Sequence, residues 1–376
     1  MKNSILISLI LQMVFLQGLT AQDLTLHWVC ELPDTVKESS GLETGTGGKL
    51  WTHNDSGGEA CLFLADTAGN LLRRLNLTGV TAIDFEDLTR DASGNMYVGD
   101  FGNNLNLRTD LVIYKIPDPD TYGSDSVIPG AIRFHYPDQT EFPPSSSMMN
   151  FDCEAMVHYA DSLYLFSKNR GISTWSRVYR LPDQPGNYTA ELIDSFNTQH
   201  WVTGAAISPS GQHLLLLSES WVWLFGQFSQ ADFFGGSALH LSMETSQKEG
   251  VVFRDDSTVY ISEDSETALP ARLFRIDVSP WLSGDEWDEF TAPGINCYPN
   301  PCTDHFCVAF ISAHQDLLRI DLMDADGRLL SCHQFRCDDP GSCLMIETAS
   351  LSAGIYTLKV SGGHDPLPSW VRIIVR

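Results

Sequence analysis

A pattern of short strands recurs five times between residues 39 and 282, and it constrains the fold more than any other feature of the chain. Each copy opens with small or acidic residues, continues as a short apolar strand, turns, and returns as an apolar strand that ends in polar residues. The turns carry Gly, Asp or Ser, as β-hairpin turns do. The pattern therefore predicts an all-β chain. The five copies open at Ser39, Asp84, Asp152, Thr203 and Lys248.

Two further strands follow in most copies, so each copy can supply one four-stranded antiparallel sheet. Four strands repeated every 45 to 68 residues are typical of a β-propeller, in which each sheet is a blade. The last copy lacks its fourth strand, and residues 24–32 alternate apolar and polar and can fill that place. We therefore predict a β-propeller over residues 22–282 with five visible blades. The 68-residue interval from Glu86 to Glu154 leaves room for a sixth.

The first 21 residues have the layout of a secretory signal peptide. Lys2 gives a positive start, residues 5–16 are almost entirely apolar, and residues 19–21 (Leu-Thr-Ala) form a small-residue cleavage site. A short buried N-terminal helix is the alternative. No later segment approaches the roughly 18 apolar residues that a membrane span needs. We therefore expect no membrane span in the mature protein.

The chain is strongly acidic, with a formal net charge of −25, and the charge is unevenly distributed. Residues 22–290 hold 39 acidic and 16 basic side chains, a net −23, whereas residues 291–376 hold 9 and 6, a net −3. Such a charge repels phosphate backbones, so we expect no nucleic-acid partner.

Many of the acidic residues fall where the repeat brings side chains together. The residues that open the first strand of a blade and those that close the second gather at one mouth of the central channel. Glu86, Glu154 and Glu249 stand at equivalent positions of three copies, which turn chemistry does not require. Dense carboxylates suit a hard divalent cation, with calcium as the first candidate. The predicted ligands are Glu86, Glu154, Glu249, Asp55, Asp100 and Glu263, and the other predicted mouth residues are His53, Asn54, Asn103, Lys168 and Glu219.

These residues leave more than one function open. The carboxylates could be purely structural, or their raised pKa values could make them general acids or bases. The mouth could belong to a metal-dependent hydrolase of a small extracellular ester, lactone or phosphoester. It could equally belong to a non-catalytic propeller that binds a glycan or a protein. The sequence has no nucleophile elbow, no HExxH motif and no convincing Ser/His/Asp set. Catalysis would therefore have to rest on a metal.

Four short motifs in the repeat resemble a group of secreted propellers. They are Ser-Ser-Gly-Leu (39–42), Phe-Glu-Asp-Leu (85–88) with Gly-Asp-Phe-Gly-Asn-Asn (99–104), Cys-Glu-Ala-Met (153–156) and Glu-Gly-Val-Val-Phe (249–253). At these residues the chain resembles phytase-like and esterase-like propellers and, more distantly, the gluconolactonase type. The resemblance implies a divalent metal at the channel mouth and, in some members, ester or lactone hydrolysis. The chain has no basic cluster large enough for a polyphosphate, so we do not expect phytase activity.

The composition changes after an acidic linker predicted at residues 283–294. Alternation and turns predict a small antiparallel β-sandwich over residues 295–376. The order Tyr-Pro-Asn-Pro (298–301), Asp-x-x-Gly-Arg (324–328), Leu-x-x-Gly-Ile-Tyr (351–356) and a terminal apolar strand resembles the C-terminal sorting domain of the type IX secretion system. The resemblance implies the secretion machinery as a partner, removal of the tail, and release or attachment at the outer surface of a Gram-negative cell. An accessory sandwich that binds another partner is the alternative.

Six of the nine cysteines lie between residues 297 and 343. In an exported protein they predict disulfides, up to three, whose pairing the sequence does not give. A zinc site around Cys332 and His333 is the alternative. Cys30, Cys61 and Cys153 cannot all pair with one another.

Overall fold

The computed structural model describes residues 24–264, 270–282, 288–289, 295–310, 314–337, 343–362 and 369–376. The predicted signal peptide lies outside these residues. The first part of the chain folds into sheets arranged as propeller blades. Its strands are β1 (His27–Glu31), β2 (Ser39–Gly45), β3 (Lys49–Asn54), β4 (Cys61–Ala65), β5 (Leu71–Leu77), β6 (Phe85–Arg90), β7 (Met96–Asp100), β8 (Val112–Ile116), β9 (Ser126–Val127), β10 (Gly130–His135), β11 (Asp152–Tyr159), β12 (Ser162–Lys168), β13 (Trp175–Pro182), β14 (Gly186–Thr189), β15 (Glu191–Asn197), β16 (Gly204–Ile207), β17 (His213–Leu217), β18 (Trp221–Gly226), β19 (Ser237–Ser242), β20 (Lys248–Phe253), β21 (Thr258–Glu263), β22 (Arg272–Asp277) and β23 (Asp288–Glu289).

Five sheets match the five copies of the repeat, so the predicted propeller is confirmed. Blade 1 has the order β2-β3-β4-β5-β9, blade 2 β14-β10-β8-β7-β6, blade 3 β11-β12-β13-β15, blade 4 β16-β17-β18-β19-β23 and blade 5 β1-β22-β21-β20. The first strand of each repeat is the innermost, and these strands pack against one another around the channel. Large side chains fill the spaces within and between blades, and Trp51, Tyr97, Phe166 and Phe225 are almost fully buried. Each such burial contributes about 2–3 kcal/mol.

The N-terminal strand closes the ring, as the sequence predicts. Strand β1 pairs antiparallel with β22, with His27 opposite Arg275 and Glu31 opposite Arg272. The fifth blade thus takes its outermost strand from the opposite end of the propeller sequence. This closure covers the edge that β22 would otherwise present to solvent.

The long interval between Glu86 and Glu154 extends blade 1 and completes blade 2, and it does not form another blade. Strand β9 adds to blade 1 in parallel with β5, with Asn76 opposite Ser126. The rest of the interval supplies β10 and a loop that contains the 3₁₀ helix Ser146–Met148. The part of the chain that the structure describes therefore contains no sixth blade.

The C-terminal part folds into the expected two-sheet sandwich. The short helix α1 (Ser279–Leu282) precedes this part of the chain. The strands are β24 (Ile295–Tyr298), β25 (His305–Phe310), β26 (His314–Met323), β27 (Leu329–Cys337), β28 (Cys343–Glu347), β29 (Gly354–Ser361) and β30 (Ser369–Val375). One sheet has the order β24-β25-β28 and the other β27-β26-β29-β30, and their facing side chains form a single core that includes Phe306, Ile320, Leu358 and Ile373.

One disulfide joins the β25 and β28 strands of the sandwich, between Cys307 and Cys343. Cys297, Cys302 and Cys332 are free thiols, as are the three cysteines of the propeller. The side chain of Cys337 lies outside the described part of the structure. Of the three disulfides for which the sequence leaves room, the described residues therefore contain one.

Only two residues of the predicted acidic linker are described, and they belong to a blade. Asp288 and Glu289 form β23, which pairs with Ala238 and Ser237 at the edge of blade 4. In the described residues, no helix has the length and apolar character to cross a membrane.

Candidate metal centre at the propeller mouth

The innermost strands carry an irregularity at the positions where the repeat places glutamate. In blade 2, Phe85 pairs with Asp100 and Asp87 with Gly99, so Glu86 has no partner in the register. In blade 3, Glu154 is passed over in the same way, and in blade 5 the shift falls between Lys248 and Val251. A β-bulge re-aims the side chain of the extra residue. The bulges explain how Glu86 and Glu154 can face the mouth from strands that otherwise run along the channel.

Glu86 lies at the centre of two carboxylate groups. In each group, one oxygen per residue lies within 4.8 Å of the others: Asp55, Asp84 and Glu86 form the first, and Glu86, Asp152 and Glu154 the second. We call these five residues the mouth cluster. Blades 1, 2 and 3 all contribute to it, so it forms only when these three blades pack together.

A glycine makes the close approach to Glu86 possible. A Cβ atom on Gly102 would lie 2.0 Å from Oε1 of Glu86 and 2.4 Å from Oδ2 of Asp84. Gly102 belongs to the motif at residues 99–104, so this part of the motif has a steric explanation.

Two cations balance one side of the mouth cluster. Lys168 forms an ion pair with Glu154, and Arg170 contacts Asp152 at 2.7 Å and Glu154 at 2.8 Å. Trp201 covers both cations, with the Arg170 guanidinium 4.9 Å and the Lys168 ammonium 5.5 Å from its ring centre. The blade 3 carboxylates therefore have their counter-charges in place.

Asp55, Asp84 and Glu86 form the other side of the cluster, and none of them has an ion pair with a basic side chain among the described residues. Burial raises the pKa of Glu86 well above its usual range, and the charges of Glu154 and Asp55 raise it further. Burial and the neighbouring Asp84 raise the pKa of Asp55 to about 7. The pKa of Asp84 is raised to about 6 by burial and by Asp152. A bound cation would therefore stabilise the ionised forms of these carboxyl groups.

Glu249 extends the same side towards blade 5. It is 8% exposed, and its Oε2 atom is buried with no hydrogen-bond partner among the described residues; the same is true of Oδ1 of Asp55. Burial and then the charge of Asp55 raise the pKa of Glu249 to about 7. Buried acceptors are normally satisfied, so these two oxygens are available to accept a hydrogen bond or to bind a cation.

Several predicted mouth residues stabilise loops instead of joining the cluster. Asp100 accepts the backbone N–H groups of Ile83 and Asp84 and pairs with Arg108 at 2.9 Å. Asn54 accepts the N–H groups of residues 37 and 38, and Asn103 binds the backbone of residues 108 and 151. Their side chains shape the walls of the mouth.

His53, Glu219 and Glu263 also lie apart from the cluster. His53 is fully buried, with Nδ1 2.9 Å from the carbonyl of Asn54, and burial lowers its pKa to about 4. Glu263 pairs with Arg272 at 2.5 Å. Glu219 is exposed, and its backbone carbonyl accepts from Lys248.

The predicted ligand set omits Asp84 and Asp152, although both open a blade two residues before a glutamate. That spacing, Asp-x-Glu in two neighbouring repeats, is the signal that identifies them. Asp152 also accepts the backbone N–H of Asn103 at 2.7 Å, so it links two blades. Trp201 carries no sequence signal, because only the fold brings its loop to Lys168.

One carboxylate of the channel has a purely structural role, which was one of the alternatives left open by the sequence. Asp87 is fully buried and accepts the backbone N–H groups of Leu88 at 2.8 Å and Met156 at 2.7 Å. It joins blade 2 to blade 3. Glu86 of the mouth cluster and the neighbouring Glu249 differ from Asp87, because the described residues give them no comparable set of backbone donors.

A second group lies at the other end of the channel, beside a cavity of about 660 Å³. Asp91, His158 and Asp183 have ligand atoms within 4.8 Å of one another. Asp183 accepts from His158 at 3.1 Å, and the hydroxyl of Tyr97 lies 3.0 Å from Asp91 and 3.2 Å from Asp183. These hydrogen bonds account for the group without a ligand.

Comparison with protein families identifies the C-terminal part. Residues 296–375 match the family described as "Secretion system C-terminal sorting domain". This part of the chain is a sorting domain. It directs the protein through the type IX secretion system to the cell surface or the extracellular space. The predicted resemblance and location are therefore confirmed, and the sorting domain implies interaction with the secretion machinery. No curated protein matches the chain.

Solved structures similar to the chain are distant in sequence. One is described as PorZ, an essential bacterial surface component of the type-IX secretion system of Porphyromonas gingivalis, at 13% identity and a TM-score of 0.32. It covers 90% of this chain, and this chain spans 45% of its length. Another is a putative gluconolactonase, at 10% identity and a TM-score of 0.39, with 64% of this chain and 74% of that one covered.

Proposed function

We propose that this protein is an exported propeller that binds a divalent cation, calcium first, at its mouth cluster and hydrolyses a small extracellular ester, lactone or phosphoester there. The observation that carries the proposal is the acidic, buried environment of Glu86. This residue is 4% exposed, lies among Asp55, Asp84, Asp152 and Glu154, and has no cation of its own among the described residues. All the donors are hard oxygens, which suits calcium or magnesium better than a softer metal.

The charges of the site support different roles for its two sides. Lys168 and Arg170 already neutralise Glu154 and Asp152, so the cation would be held by Glu86 with Asp55 and Asp84. A bound divalent cation would supply Lewis acidity and a more acidic water. Glu249 stands nearby with a buried, unpartnered oxygen and a pKa raised to about 7, which suits a general base near neutral pH.

A surface feature favours the second candidate, a non-catalytic binding module. Exposed apolar side chains occupy the loops that surround the mouth, and Trp201 is 47% exposed beside Lys168. An aromatic and apolar rim around a charged centre also suits recognition of a glycan or a protein. The rim consists of Ile83, Leu105, Leu107, Ile172 and Trp201.

The test combines metal analysis with an activity screen on the purified full-length chain. We expect about one equivalent of calcium that EDTA removes, and hydrolysis of at least one ester, lactone or phosphoester that stops with EDTA and returns with calcium. Glu86→Gln should lose both properties. Glu191→Gln is the control, because Glu191 is an exposed glutamate that pairs with Arg180 on the outer edge of blade 3.

Two results separate the candidates. Calcium binding that Glu86→Gln abolishes, without hydrolysis of any substrate, would favour the binding module over the enzyme. A wild-type protein with no bound metal, and a melting temperature that neither calcium nor EDTA changes, would contradict both the metal site and the hydrolase.

A further inference from the structure

The sorting domain does not simply follow the propeller; it is docked on blade 3 through the tip of its β26–β27 hairpin. Asp326, at that tip, is 8% exposed and binds Arg177 of the propeller at 2.5 Å. The amide of Asn150, which is fully buried, donates to the same carboxylate at 3.1 Å, and the hydroxyl of Ser173 donates to the Asp326 carbonyl. The hairpin tip is therefore bound by charge and by hydrogen bonds.

Two further contacts make the docking specific. Gly327 has a φ of +73°, and a Cβ atom there would lie 2.2 Å from Nε1 of Trp175, so only glycine fits against this indole. On the last strand, Arg372 reaches Asp194 at 2.5 Å and Asp232 at 2.6 Å. The Asp194 side chain is 7% exposed, so this ion pair is largely shielded from water.

The docked hairpin is connected to the cations of the mouth through one loop. Asn150, which binds Asp326, also accepts from Ser167 at 2.6 Å and donates to the carbonyl of Trp175 at 3.2 Å. Asn169 donates to the same carbonyl at 3.0 Å. Residues 167–177 thus form a segment whose far end contacts the sorting domain. Its near end carries Lys168 and Arg170 onto Glu154 and Asp152.

We infer that the docked sorting domain holds Lys168 and Arg170 on the blade 3 carboxylates and so keeps cation affinity at the mouth low until the domain is released. The part of this inference that concerns calcium affinity rests on the proposed function. The direction of the change in affinity follows from charge. While Lys168 and Arg170 are fixed, they neutralise Glu154 and Asp152, which then attract a divalent ion only weakly. When residues 167–177 loosen, these carboxylates become available, and the ion binds more tightly.

The experiment uses the full-length chain with two undocking variants, each with a matched control. Gly327→Ala inserts a methyl group against Trp175, and its control is Gly354→Ala, where the nearest atom to a Cβ lies at 3.8 Å. Arg372→Gln removes the ion pair to blades 3 and 4, and its control is Arg319→Gln, which pairs with Asp321 inside the sorting domain. Circular dichroism and a melting curve establish that each variant is folded.

Two readouts are needed, and the first does not depend on calcium. Amide exchange of residues 167–177 and labelling of Lys168 by an amine-reactive reagent should both become at least about fivefold faster in the undocking variants. The calcium dissociation constant should fall at least about threefold in the same variants, since two carboxylates are freed. The controls should match the wild type in both measurements.

The possible outcomes are distinct. If Lys168 labelling and the exchange of residues 167–177 stay at wild-type values in both undocking variants, the inference is wrong. If they increase but the calcium dissociation constant is unchanged or rises, the docked domain braces the loop without controlling affinity, and the inference is again overturned. If the wild type binds no calcium, the proposed function fails, and the affinity half of the inference fails with it.

Discussion

Glu86 and Glu154 occupy equivalent bulges in neighbouring blades, yet their surroundings are opposite. Glu154 has two cations, Lys168 and Arg170, which follow the second strand of its own blade. The corresponding positions of blade 2 carry Phe101 and Asn103, and Glu86 faces four carboxylates instead. The comparison shows that a repeat specifies where a side chain lies but not which charge it meets.

Removing a cation from the paired side should have the largest effect on stability. Lys168→Met leaves Glu154 buried with Arg170 alone, and loss of one partner from a buried ion pair costs about 3 kcal/mol. Chemical denaturation in EDTA at pH 8 measures this loss. Arg180→Met, which breaks the exposed pair with Glu191, should cost at most about 1 kcal/mol. Equal losses in the two variants would contradict the comparison.

The unpaired side should make the metal-free protein less stable as the pH rises. The pKa values of Asp55 and Glu249 are raised to about 7 and that of Asp84 to about 6, so the folded state binds more protons than the unfolded state between pH 4 and 8. As far as these groups are concerned, stability is highest below about pH 4, and it falls as the pH rises through the folded-state pKa values of about 6 to 7.

We expect the free energy of unfolding in EDTA to fall by at least about 2 kcal/mol between pH 5 and 8 through these groups. Calcium at 100 times its dissociation constant should offset about 2.7 kcal/mol of this fall. A melting temperature in EDTA that rises over this range would contradict the assignment.

Matched substitutions of the two glutamates should have opposite signs. In EDTA at pH 8, Glu86→Gln removes an unpaired buried carboxylate and should stabilise the fold by about 1 kcal/mol. Glu154→Gln removes the acceptor of Lys168 and Arg170 and should destabilise it by about 1–2 kcal/mol. The measurement is the same denaturation series for both variants. Effects of equal sign would show that the two sites are electrostatically alike.

The smallest effect on cation binding is expected at His53. Its ring is buried beside Phe85, away from the mouth cluster, with ring centres 5.6 Å apart. His53→Gln should change the calcium dissociation constant by less than about twofold, as for separate sites, while it lowers the melting temperature. Isothermal titration of the variant checks this. A large loss of affinity would place His53 at the site after all.

Sequence periodicity alone was sufficient for the architecture. The hairpin spacing, the missing fourth strand of the last copy and the motif order after residue 295 determine the blades, their closure and the sorting domain, because each depends on local pattern and chain order. Three equivalent glutamates also predict which face of the propeller carries the candidate site.

Only the tertiary structure decided which of these carboxylates lie together and which have counter-charges. Asp55, Glu86 and Glu154 come from three blades, and their distances depend on how the ring closes. The same holds for Asp100, which the fold turns onto backbone N–H groups, and for Asp326, which reaches Arg177 across 149 residues. Electrostatic energy depends on separation in space and on burial, and neither can be read from the order of residues along the chain.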